Sequence, residues 1–161
     1  MPWLNSDFKN MVSKAKLMIS TELNIPLENL ITPVFTTTLG EIAQAVLVVL
    51  QHKNYGEAQI DYIESQLLPN VVGKYFSLKR EIWVLQDKGE NIETIVHELL
   101  HSVQKCSPNR EGIVDYITFK ITGVSSFMSS YHLANWQEIE RTDSFEAIKD
   151  RLSNKGDCED F

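Results

Sequence analysis

The chain has 161 residues, with fifteen Lys and Arg against twenty-two Asp and Glu, a net charge of −7, and 43% hydrophobic residues. This is long enough to bury a core and ordinary in composition for a globular protein. The acidic balance lacks the basic face that phosphate neutralisation requires, so no nucleic-acid partner is expected.

The N-terminal "MPWLNSDFKNMVSKAKLMIS" has no uninterrupted apolar run and no small-residue cleavage site, so no signal peptide is expected and the chain reads as cytoplasmic. Within it, Phe8, Met11, Val12, Ala15, Met18 and Ile19 recur at helical spacing. A helix over 6–23 is predicted, with Ser6 as its N-cap. "NIPLENLITPVFTT" carries two prolines and reads as extended or irregular. "LGEIAQAVLVVLQHKN" is apolar on most sides and predicts a buried helix. Its apolar run, between Glu41 and His52, is about half of the roughly twenty residues a membrane span needs. His52 closes that helix as a partner for its C-terminal dipole. "YGEAQIDYIESQLLPN" continues as a helix with a stripe of Ile60, Ile63, Leu67 and Leu68, stopped by Pro69-Asn70.

The character then changes. "VVGKYFSLKREIWVLQDKG" is β-branched and aromatic and predicts one or two short strands, the second centred on residues 82–85. A helix over 91–105 follows, then one over 111–122 ending near Gly123, a Ser-rich loop at 125–130, and a last helical region from about Trp136 to Leu152. Trp3, Trp83 and Trp136 read as packing residues. The fold class expected is α+β, mostly helical, with a small antiparallel or mixed sheet. Residues 1–70 form a helical N-terminal portion packed on a core of 71–161. Cys106 and Cys158 make neither a disulfide framework nor a CxxC knuckle. They read as free thiols, with a single bridge between them the alternative.

The chemistry concentrates in "NIETIVHELLHSVQ", residues 91–104. Ile92, Ile95, Val96, Leu99 and Val103 form the core-facing stripe of this helix. His97 and His101, four apart, lie on another side, so both imidazoles can reach one point. Two neutral imidazole nitrogens placed so are a donor pair that zinc takes in a tetrahedral site. Glu98 lies about 100° around the helix from His97 and can reach a metal-bound water without ligating the metal. The reading against this is two structural histidines, but the pattern falls mid-helix, after a predicted strand, and off the core stripe.

"EIWVLQDKGENIETIVHELLHSVQ" resembles the strand and active-site helix of zincin metallopeptidases. The resemblance covers residues 80 to about 122 and does not extend to the first 70 residues. After His101 comes "SVQKCSPNRE", which excludes the metzincin third histidine. "REGIVDYITFK" is similar to the corresponding segment of gluzincins, including small thermolysin-like and basic-secretory-protein-like peptidases. The resemblance implies that Glu111 is the third zinc ligand and that Asp115 hydrogen-bonds a ligating histidine. A rival third ligand is Glu138 or Glu140 in "NWQEIERTDSFEAI". The family's oxyanion stabiliser, a His or Tyr, would be Tyr131 or His132, otherwise a loop aromatic and a surface histidine.

The expected function is therefore a zinc metalloendopeptidase acting on a peptide or protein substrate, with Zn²⁺ as cofactor, His97, His101 and Glu111 as ligands, and Glu98 activating the zinc-bound water. The alternative is a zincin-like regulatory or binding protein that keeps the metal site with little general proteolysis. No membrane partner is expected.

Overall fold

The computed structural model describes residues 6–67, 71–104, 110–124, 141 and 144–152. Its helices are α1 (Ser6–Leu23), α2 (Leu39–His52), α3 (Glu57–Tyr62), α4 (Ile92–Val103), α5 (Arg110–Thr122) and α6 (Phe145–Leu152). The strands are β1 (Val34–Thr37), β2 (Gly73–Phe76) and β3 (Glu81–Leu85). The architecture is α+β, mostly helical, with one small mixed sheet of order β1-β3-β2.

β3 explains the layering. Its sequence, EIWVL, alternates, so Ile82 and Val84 face one side of the sheet and Trp83 the other. β1 runs parallel to it with Val34 opposite Ile82, and β2 antiparallel with Gly73 opposite Val84. On the Ile82 side, Phe8, Ala15 and Ile19 of α1 join Ile95, Val96, Leu99 and Leu100 of α4, with Ile113, Val114 and Ile117 of α5. On the other side, Phe76 and Trp83 meet edge-on at 5.2 Å between ring centroids. There Ile42, Val46 and Leu50 of α2 and Ile63 close a second cluster.

Three sequence expectations change. The segment ending in "VFTT" is not merely extended, because Val34–Thr37 pairs with β3. That pairing comes from a partner distant in sequence, which local pattern does not reveal. α2 is not buried on most sides: Leu39 and Val48 are 42% and 46% exposed. A three-stranded sheet offers one face, and Ile42, Val46 and Leu50 suffice to cover it. Ser6 already belongs to α1 rather than preceding it.

Local signals account for most helix ends. Thr38 and Glu41 form a capping box at α2: Glu41 N–H donates to the Thr38 hydroxyl, which itself donates to the Glu41 carboxylate at 2.9 Å. That hydroxyl, with the Thr38 backbone N–H, holds the Glu41 carboxyl below its ordinary pKa. Helix α3 passes into a π-helical turn at Ile63–Leu67. Gly123, at φ +75°, ends α5 in the left-handed conformation that glycine adopts without a Cβ clash. The last helical region has a break in it, since Ser144 is non-helical and its hydroxyl accepts from Ala147 N–H to start α6. Pro69-Asn70, the Ser-rich loop, Trp3, Trp136, Cys106 and Cys158 lie outside the described residues. Among the described residues, no helix is long and apolar enough to cross a membrane.

Candidate metal centre

Helix α4 is aimed at its neighbours by the loop that feeds it. After β3 the chain turns at Asp87 (φ 64°) and folds back, so that Gly89 N–H donates to Leu85 C=O while Leu85 N–H donates to Val72 C=O. A Cβ on Gly89 would sit against the Val72 carbonyl and 2.6 Å from the Leu85 nitrogen, so no other residue fits there. Asn91 then caps the helix, its side-chain oxygen accepting from Thr94 N–H at 2.9 Å. The helix runs Ile92–Val103 and packs between α1, α5 and the β2 side of the sheet.

The two histidines of HELLH meet as their spacing predicts. Nε2 of His97 and Nε2 of His101 are 3.2 Å apart, with the rings inclined at 73°. Each ring's other nitrogen faces an acceptor. Nδ1 of His97 lies 3.1 Å from Oδ1 of Asp115 on α5, and Nδ1 of His101 lies 2.9 Å from the side-chain oxygen of Gln104. An imidazole with its proton on Nδ1 would donate to each of these oxygens and turn its Nε2 lone pair towards the other ring.

At 3.2 Å the two Nε2 atoms either share one proton in a hydrogen bond or, both unprotonated, present two donors to one cation. Two nitrogens each about 2.0–2.1 Å from one tetrahedral zinc are about 3.3–3.4 Å apart. The donor pair therefore fits zinc in type and in separation. Burial sharpens the point: Asp115, His101 and Glu98 are 2%, 6% and 8% exposed. A carboxylate that far from water requires a partner such as the His97 ring.

Glu98 departs from α4 toward β2. A Cβ at Gly73 would lie 3.2 Å from its Cγ and 2.9 Å from Cγ2 of Thr94, so the strand backbone runs directly against the carboxylate's stem. This is the first of two contributors absent from the sequence reading. The close approach is tertiary, and the only sequence trace is a glycine inside a strand pattern. The second is Gln104, which follows α4 with extended backbone (φ −72°, ψ 138°) and so folds back three residues onto His101. Its spacing, His-x-x-Gln at a helix end, was the available signal.

The structure brings His97, His101 and Asp115 together, with Glu98 one residue away on the same helix. Glu111 is the second residue of α5, one turn before Asp115, by its backbone. It thus sits in the first turn of the helix, and nothing of its side chain is described. Among the described residues no group of three potential ligands forms. Glu138, Glu140, Tyr131 and His132 lie outside them. His52 ends α2, exposed. No family model, curated protein or solved structure matches this chain, so the geometry of the histidine pair carries the functional reading.

Proposed function

We propose that this chain is a zinc-dependent metallopeptidase with a zincin-like arrangement of strand, HELLH helix and following helix. One observation carries the reading: the opposed Nε2 atoms at 3.2 Å, with an oxygen of Asp115 or Gln104 beside the Nδ1 atom of each ring. His97 and His101 would hold the metal, with Glu111 as third ligand and Glu138 or Glu140 as the rival. When bound, zinc supplies Lewis acidity and lowers the pKa of a coordinated water towards about 7.

The remaining work belongs to the chain. Asp115 keeps the His97 ring oriented and makes it a better donor. Glu98, buried against the Gly73 backbone, takes a proton from the attacking water and delivers it to the leaving amine. Among the described residues β2 is an edge strand of the sheet, and an extended peptide can pair with such an edge beside α4.

The burial of Glu98 and His101 also favours a second reading, in which the site holds metal for a regulatory or binding role with little turnover. Zinc-loaded protein incubated with a peptide library separates the two. The enzyme reading expects sustained cleavage that falls by at least about a thousandfold in Glu98→Gln, with zinc retained. Zinc bound but no cleavage by wild-type protein would leave the binding reading.

A further inference from the structure

Helix α2 differs from α1 in what it shows to water. From Ile42 to Gln51 it carries no charged residue, whereas α1 exposes Asp7, Lys9, Lys14 and Glu22. Its buried side, Ile42, Val46 and Leu50, closes on the sheet. Opposite that side stands Val48, 46% exposed, between the exposed Gln44 and Gln51. An outer helix face in water ordinarily carries charge. Here the ionisable groups are at the two ends, Glu41 in the first turn and His52 in the last, both exposed.

The spacing of these residues has a symmetry. Val48 and His52 follow Glu41 by seven and eleven positions. At 3.6 residues per turn, all three lie within about 40° of one line down the helix, with Glu41 and His52 about 16 Å apart. The midpoint of Glu41 and His52 falls between Val46 and Leu47, and so does the midpoint of Val48 and the half-buried Ala45. A second α2, antiparallel about a two-fold axis through that point, sets each Glu41 against the partner's His52. The same axis sets each Val48 against the partner's Ala45.

We infer that α2 is a self-pairing surface, on which two copies of this chain form an isologous dimer with Glu41–His52 contacts at both ends and Val48 near the centre. α2 lies across the sheet from α4, so this pairing is independent of the zinc reading. The capping bonds from Thr38 end on Oε1 of Glu41. A carboxylate accepts at both oxygens, so capping the helix and accepting from the partner's imidazole are compatible. Charge selects the occupant and its direction. A net charge of −7 sets copies of this chain to repel one another in general. This face instead offers one acid and one imidazole per copy in matching places, and a parallel copy would set Glu41 against Glu41. The contact is one helix of 14 residues, about 21 Å long. That is short of the roughly 800 Å² per partner typical of a stable complex, so the dimer is weak and concentration-dependent.

Sedimentation equilibrium on the full chain tests this, from about 10 μM to 1 mM, with a chelator present so that no metal bridges surface histidines. The mass should rise from one chain towards two. Val48→Glu should abolish the rise, and His52→Glu, which brings like charges together at both ends, should weaken it at least about tenfold. His52→Lys should stay within a few-fold of wild type or tighten. Leu17→Glu alters charge as His52→Glu does, but on an exposed residue of α1, and should change nothing. All the substituted side chains are exposed, and thermal melts check that each variant folds. A wild type that stays monomeric throughout overturns the inference, as does a dimer that survives both Val48→Glu and His52→Glu. Equal weakening in Leu17→Glu and His52→Glu overturns it too, because net charge and not the α2 register would then govern association.

Discussion

Asp115 contributes to the histidine pair what sequence spacing alone cannot. A carboxylate 2% exposed and 3.1 Å from His97 Nδ1 restrains the ring and, in the proposed site, would hold its proton on Nδ1. Asp115→Asn keeps the shape but lets an amide NH₂ compete for that position, so zinc affinity should fall by about 10- to 100-fold. Chelator-competition titration measures this, and unchanged affinity would reduce Asp115 to a packing residue. The meeting of the two rings was legible, because four-residue spacing puts His97 and His101 on one side of the helix. Gln104 left only a weak signal, His-x-x-Gln at a helix end, because its contact with His101 depends on the backbone leaving the helix.

Among the elements, α4 and α5 bring His97, His101 and Asp115 together, and the contact of α4 with β2 turns on one absent side chain. Gly73→Ala would place a Cβ 2.9 Å from Thr94 and 3.2 Å from Glu98, closer than either can accept without moving. The substitution should destabilise the fold by about 1–3 kcal/mol, as overpacking does. It should also displace Glu98, so that peptide cleavage falls more than zinc affinity does. Denaturant unfolding beside zinc titration checks both; an unperturbed fold with full cleavage would show that β2 can step aside. Helix positions were largely readable because caps and apolar period agree, as at Asn91 and Ile95 through Leu99. The strand β1 was not, since four residues after a proline owe their conformation to pairing with β3.

Across the whole molecule the sheet divides two cores, and only one supports the site. α1, α4 and α5 fill the first, while α2 and the turn after α3 fill the second with Phe76 and Trp83. The first 70 residues contribute to both through α1, β1 and α2. Ile42→Ala, a fully buried change in the second core, should cost about 2–5 kcal/mol by cavity formation. Zinc affinity should stay within a few-fold of wild type, as read by thermal melts and zinc titration together. An equal loss of both would mean that the two layers are coupled through the sheet. The small size of the sheet also explains why α2 reads as buried in sequence yet leaves Val48 in solvent.

Zinc content per chain by elemental analysis tests the central claim most directly, on wild type beside His97→Ala, Glu111→Ala and Glu140→Ala. The account predicts about one zinc per chain in wild type and Glu140→Ala, lost in His97→Ala and Glu111→Ala. Loss in Glu140→Ala instead would move the third ligand to the segment before α6. A wild-type chain that takes up no zinc, even when zinc is supplied, would contradict the account and leave His97 and His101 as structural histidines.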